Sequence, residues 1–369
     1  MIALQIAAVV GGIIVVAAVL SSAVRTVVVP RGERVLLSTL VFGITRALFR
    51  LFAKDQHTYE RRDRVMARFA PTALMLLPVA WAFGLIAGFT PIFWGFGIDS
   101  WRDALLLSGS SITTLGFRSS PGTAETLAAI VEALLGLFLV ALLISFLPTI
   151  YSQFSRREIA VAKLFIRAEG ENGQADPVAL LIRSHTIGGL SRLDEIWEDW
   201  DQWFVEVSES HRSFPSLNFF RSPDPDRSWV TGAGLVLDLA SIYLSTVDVA
   251  TNPRAALMVR SGFLSLRSVC EFFAIPYDPD PSPSDQISIT RDEFRTAYDR
   301  LDAAGVPVHV DRDRAWADFQ GWRVNYDGPL TRLADFTMAP YQPWVSDRSV
   351  RFRPTMRHSL RTRRGKAAR

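Results

Sequence analysis

The stretch Ser110-Ser111-Ile112-Thr113-Thr114-Leu115-Gly116-Phe117-Arg118 lies between two long apolar runs, and it decides the fold predicted for the first half of the chain. Residues 99–108, just before it, predict a short helix that Ser100 caps and that carries an acidic residue in its first turn. Pro121-Gly122, just after it, predicts a turn before an apolar run over 123–150. The order is therefore short helix, Thr-Thr-x-Gly-aromatic segment, turn and long apolar helix.

This order resembles the pore module of the tetrameric potassium-channel superfamily, in which a pore loop lies between two membrane helices. The resemblance implies a module over 69–152, with an outer helix over 69–93, a pore helix and filter over 99–118 and an inner helix over 123–150. It also implies a homotetramer with potassium ions in the filter and no other cofactor. The selectivity filter would consist of Thr113, Thr114, Leu115, Gly116 and Phe117.

Such a filter needs oxygen atoms that replace the hydration shell of an ion, and residues 113–117 could supply them. An ion that crosses a membrane must exchange its hydration shell for oxygens, and rings of backbone carbonyls supply them. Irregular backbone is tolerated at membrane depth only where it lines a cavity or is buried in protein. Gly116 permits unusual dihedral angles, and the hydroxyls of Thr113 and Thr114 add oxygens below it. We therefore expect an extended segment whose carbonyls point toward an axis.

The filter departs from the family pattern at two flanking positions. Arg118 stands where the family normally has a second glycine, and Ser119 stands where it has an acidic residue. Four guanidinium groups near a pore mouth repel cations unless they are paired. Glu125 and Glu132 in the inner helix are the candidates to tune this charge, and Glu125 is placed to neutralise Arg118. The alternatives are a non-conducting membrane scaffold or sensor that keeps the channel fold, and a re-entrant loop in an unrelated membrane protein.

Gly136 lies near the middle of the predicted inner helix. In the resembling family a glycine at a similar place acts as a gating hinge. A small residue in a membrane helix also permits close helix packing. The sequence leaves these two interpretations open.

The amino-terminal residues predict a further membrane helix and a cytoplasmic segment. Residues 1–24 contain no charge and are long enough to cross a bilayer core. Residues 25–68 carry ten basic against four acidic side chains, a net charge of +6, so the positive-inside rule places them in the cytoplasm. Within them, residues 35–52 predict an amphipathic helix at the membrane interface, and a spanning placement stays open.

The charge distribution also predicts the orientation. Residues 94–123, between the outer and inner helices, have two acidic and two basic side chains. A neutral side opposite a strongly basic side predicts an extracellular amino terminus and a cytoplasmic carboxyl terminus. The sequence therefore predicts an all-α, multi-pass protein of the cell membrane.

The second half of the chain is more polar and predicts a soluble domain. Residues 153–175 predict a linker, and residues 176–345 predict a mostly helical cytoplasmic domain. Residues 346–369 predict a disordered basic tail, for which anionic lipid and nucleic acid both stay open as partners. Residues 229–247 are apolar on most sides, which indicates either a core helix or a further span. Asp238 within them favours a core helix.

Enzymatic chemistry has little support in the sequence. The single cysteine, Cys270, excludes an intrachain disulfide, and five scattered histidines predict no metal site. We therefore expect a protein that is not an enzyme, whose cytoplasmic domain assembles the tetramer or senses an unknown ligand. A membrane-anchored enzyme with its active site in the second half is the third alternative.

Overall fold

The computed structural model describes residues 2–29, 35–54, 59–119, 122–170, 173–250 and 252–348, and these residues form helices and turns with no strand. They divide into two compact units. The first unit contains the described residues up to Ser152 together with Ser213–Phe220, and the second contains the rest. The all-α class is confirmed, and the division at Ser152 coincides with the predicted end of the pore module.

The first unit contains five helices and most of a sixth. Four of these are long and apolar enough to cross a membrane, which supports a multi-pass membrane protein. The predicted spans over 1–24 and 69–93 correspond to the first and fourth helices, which end two or three residues later than predicted. The helices are α1 (Ile2–Val27), α2 (Leu36–Lys54), α3 (Tyr59–Ala67), α4 (Phe69–Gly95), α5 (Trp101–Ile112) and α6 (Thr123–Ala168).

Helices α1 and α4 pack closely and run antiparallel. A Cβ added at Gly12 would lie 2.4 Å from the carbonyl oxygen of Gly88, and one added at Gly95 would lie 2.8 Å from the carbonyl oxygen of Gln5. At the other end of the pair, Trp81 Nε1 donates to Ser22 Oγ over 3.3 Å. Small residues therefore let the two backbones approach, as is common between membrane helices.

Helix α2 packs against the beginning of α4. The rings of Phe42 and Phe49, two turns apart on α2, lie 6.1 and 6.2 Å from the ring of Phe69, the first residue of α4. The guanidinium of Arg46 lies 4.9 Å from the ring centre of Phe219, and Phe219 also contacts Phe69. The middle of α2 thus lies beside the first turn of α4 and not beside the apolar centre of α4.

Helix α6 continues beyond the predicted inner helix, and the linker predicted over 153–175 is wrong for most of its length. The helix continues to Ala168, because Val161, Leu164 and Ala168 keep helical spacing and are buried in the core of the second unit. After it, Glu169 and Ala175 form an antiparallel bridge.

The second unit is a helical domain, as predicted. Helix α9 forms its centre: 94% of its residues are buried, mainly by α7, α10 and α12. Asp238 of α9 pairs with the buried guanidinium of Arg323 in α12. Residues 229–247 therefore form the predicted core helix. The helices are α7 (Pro177–Thr186), α8 (Leu193–Ser213), α9 (Trp229–Thr246), α10 (Pro253–Phe273), α11 (Arg291–Ala303) and α12 (Arg312–Thr337).

The carboxyl-terminal prediction is tested only in part. Ser346–Arg348 form a short 3₁₀ turn, and Arg348 pairs with Glu293, so the first three residues of the predicted tail are ordered. Residues 349–369 lie outside the described residues, and the disordered basic tail with its lipid contacts stays a prediction.

Candidate pore loop

Helix α5 begins as its sequence requires. Ser100, in an extended conformation, accepts a hydrogen bond from the backbone amide of Asp103 over 3.1 Å. Its hydroxyl in turn donates to the Asp103 carboxylate over 2.9 Å. The N-cap predicted at Ser100 is confirmed, and it fixes where the short helix begins.

The carboxyl end of α5 closes in a Schellman motif. The amide of Leu115 donates to the carbonyl of Ser110 over 3.1 Å, and the amide of Thr114 donates to the carbonyl of Ser111 over 3.0 Å. Thr114 occupies the left-handed position with φ of 55°, where glycine is usual, and Gly116 follows with φ of 68°. The unusual dihedral angles expected at Gly116 are present, and Thr114 shares them.

This motif corrects part of the expected filter geometry. Thr113 and Thr114 form the helix cap and not an extended segment, because the free carbonyls at the end of α5 take the amides that follow. Their hydroxyls bond locally, Thr113 Oγ1 to the Gly109 carbonyl over 2.5 Å and Thr114 Oγ1 to the Thr113 carbonyl over 2.7 Å. Leu115, Gly116 and Phe117 are irregular, and residues 113–119 are all exposed in the single chain.

Arg118 has a partner that the sequence did not reveal. Its guanidinium lies 2.6 Å from Asp103 Oδ1, while its backbone amide donates to Ser110 Oγ over 3.2 Å. The partner is therefore Asp103 of the short helix and not Glu125. Ser119, the other flanking residue, lies exposed beside Arg118.

Glu125 and Glu132, the two acidic residues in the apolar part of α6, are buried in the single chain. Glu132 has no exposed surface, and Ser108 Oγ donates to its Oε1 over 2.5 Å. Its side chain therefore lies between α5 and α6 in the single chain, and its expected role as a pore charge stays a prediction. Glu125 is nearly buried in the first turn of α6 beside Gly122, where a carboxylate stabilises the helix amino terminus.

Gly136 permits close packing of α6 against α5. A Cβ added there would lie 2.7 Å from the carbonyl oxygen of Ile112, the last residue of α5. Helix α6 is continuous through this position. The contact supplies a structural reason for the glycine, and its action as a gating hinge stays a prediction.

A large cleft lies among the described residues of the second unit. It has a volume of about 1240 Å³ and lies mainly between α7 and α11. Its arginines are engaged: Arg300 pairs with Asp176 over 2.6 Å, and Arg183 donates to the backbone carbonyls of Arg167 and Glu169. Within the described residues, no group of three or more His, Cys, Asp or Glu side chains is arranged to hold a metal.

Comparisons of the chain with protein-family models, with curated proteins and with solved structures find no match. The functional argument therefore depends on the residues and geometry described above.

Proposed function

We propose that this chain forms a homotetrameric pore that conducts monovalent cations through the loop between α5 and α6. The observation that carries the proposal is the loop itself: a capped short helix ends in a left-handed turn, and an exposed backbone segment follows it between two long apolar helices. Potassium ions would be the conducted species, held by backbone oxygens of four copies.

The neutralised arginine supports conduction. An unpaired guanidinium at each of four pore mouths would repel cations, whereas the Asp103 carboxylate compensates Arg118 within the same subunit. Arg118, which stands in place of the second glycine of the resembling family, is thus compatible with the conduction of cations.

The surface of α6 supports an assembly. Its apolar side chains are exposed around much of the helix, and in a single chain they have few neighbours. In a membrane, lipid would cover some of them and other copies would cover the rest. The exposed positions include Leu127, Ile130, Val131, Leu134, Leu137, Val140 and Ile144.

The orientation follows from charge and from the position of α2. Residues 25–68 carry the net charge of +6, which favours the cytoplasmic side. An interfacial position of α2 agrees with its packing against the beginning of α4. Its exposed side chains form an apolar stripe suited to lipid, made of Leu36, Leu40, Ile44 and Leu48. The amino terminus would then be extracellular, and the second unit cytoplasmic, where it assembles or regulates the pore and binds an unidentified ligand.

A non-conducting scaffold or sensor is the second candidate. The observation that favours it is the cap at Thr113 and Thr114, which occupies backbone that a conducting filter would extend. Such a protein would keep the tetramer without ion flux.

Potassium flux from liposomes containing the purified chain tests the proposal. We expect flux, and we expect Gly116→Asp to abolish it, because this substitution strains a positive-φ position and adds a charge to the exposed loop. Gly109→Ala is the control, since its Cβ would meet nothing within 4 Å and alanine is favoured in a helix. A tetramer without flux would favour the scaffold, and a monomer would contradict both candidates.

A further inference from the structure

Glu132 lies in a closed environment that a carboxylate does not tolerate well. It has no exposed surface, Ser108 is its single hydrogen-bond donor, and its Oε2 has no partner among the described residues. Residues that share its face of α6 are apolar, and they pack on an apolar cluster of α4 and α5. The residues on the Glu132 face of α6 are Ala128, Ala129 and Leu135, and the cluster on which they pack includes Phe89, Phe93, Ala104 and Leu107.

The charged groups of the surrounding helices do not compensate Glu132. Helix α4 has no titratable side chain between Phe69 and Gly95, and α1 has none before Arg25. Those of α5, Arg102 and Asp103, lie in its first turn, and Asp103 is paired with Arg118. The other acid of α6 in this region, Glu125, is two turns away and supplies no positive charge to Glu132.

We propose that Glu132 is a proton-binding site inside the membrane part of the protein. A neutral carboxylic acid loses only one hydrogen bond in this pocket, whereas an anion would be buried with one donor and no counter-ion. Carboxyl groups inside membrane segments commonly bind protons or partner cations for this reason. The proton enters and leaves at the Oε2 atom, since Oε1 accepts from Ser108.

The position of this site links proton binding to the loop. Ser108 and Ile112 are one turn apart on α5, and Glu132 and Gly136 are one turn apart on α6. Each α5 residue meets its α6 counterpart, through the 2.5 Å hydrogen bond and through the close approach of the Ile112 carbonyl. Loss of the proton places a charge in this seam, so it loosens α5 and the Schellman turn that follows Ile112.

Labelling by dicyclohexylcarbodiimide, a hydrophobic reagent for protonated carboxyl groups, tests the proposal on the full chain in liposomes. We expect one principal labelled carboxyl, assigned to Glu132 by peptide mass spectrometry, with a labelling rate that falls as pH rises. Glu132→Gln should lose this label, and the control Glu125→Gln should keep it. Infrared spectra should contain a carboxylic-acid band that only Glu132→Gln removes.

Absence of label at Glu132 together with absence of that band would overturn the proposal. A carboxylate band with labelling suppressed by sodium or potassium ions would also overturn it, since the site would then hold a cation. If Glu132→Gln does not fold, the position of the label in the unmodified chain and the pH dependence of labelling decide whether Glu132 binds the proton. The proposal rests on the membrane placement of α6 and not on conduction, so a labelled acid without potassium flux would refute the channel alone.

Discussion

At the scale of single residues, Thr114 is the least expected feature of the loop. A β-branched side chain at positive φ is an outlier, and such residues concentrate at functional sites. The sequence predicted the special conformation at Gly116, because glycine is the residue that adopts it freely. It did not predict Thr114, nor Asp103 as the partner of Arg118, because both depend on how α5 ends in space.

We expect Thr114→Gly to raise the free energy of unfolding by about 1 kcal/mol, because glycine adopts the left-handed conformation without steric cost. Thermal unfolding of the purified chain in detergent measures the change. Thr113→Gly is the matched control, since Thr113 has φ of −83° and glycine there should destabilise the end of α5. Equal destabilisation by both substitutions would contradict the strain at Thr114.

His211 gives a prediction for pH in the second unit. Burial, and then the charge of Arg157 at 3.1 Å, hold the pKa of His211 well below 6.5. The unfolded chain therefore binds more protons, so stability is complete above pH 6.5 and falls as the pH drops below it, by about 1.4 kcal/mol per pH unit. Unfolding by denaturant over a pH series measures this slope. His211→Asn should remove it, and an unchanged slope in that variant would assign the effect to other groups.

At the scale of helices, hydrophobic runs made most elements predictable. Long apolar segments identified α1, α4 and the first part of α6, and the predicted ends of α1 and α4 lie within three residues of the observed ends. The continuation of α6 to Ala168 was missed, because the helix becomes polar after Tyr151 and its buried face is narrow. The close pairing of α1 and α4 was also missed, because it depends on which glycines face each other.

We expect Gly12→Ala to destabilise the first unit by about 1–3 kcal/mol, because its Cβ would overlap the carbonyl of Gly88. Gly11→Ala is the control: a Cβ there meets nothing within 4 Å, so the substitution should be neutral or stabilising. Thermal unfolding in detergent compares the two variants. Similar stability for both would show that α1 and α4 do not pack as described.

Cysteine labelling distinguishes an interfacial from a spanning α2. Val28→Cys and Arg64→Cys should react from the same side of sealed vesicles with an impermeant thiol reagent, and Ser119→Cys should react from the other side. Cys270 should stay silent, because burial raises the pKa of its thiol to about 12 and the thiolate is the reactive form. Labelling of Val28→Cys and Arg64→Cys from opposite sides would establish α2 as a span and reverse the proposed topology.

At the scale of the whole molecule, the change in hydropathy predicted two units, and both exist. The assignment of Ser213–Phe220 to the first unit could not be predicted, because its contacts are aromatic pairs between positions distant in the sequence. Phe214 lies 5.7 Å from Phe146, and Phe219 lies 5.5 Å from Phe69. The number of copies is likewise not encoded in any local pattern, so the tetramer depends on the resemblance and on the exposed surface of α6.

Electron cryomicroscopy of the full chain in lipid nanodiscs with potassium is the most direct test of the proposed pore. We predict four copies around one axis, with the backbone oxygens of residues 114–117 facing that axis and density for ions between them. A monomer, or an oligomer in which these oxygens face lipid or the interior of one subunit, would contradict the proposed function.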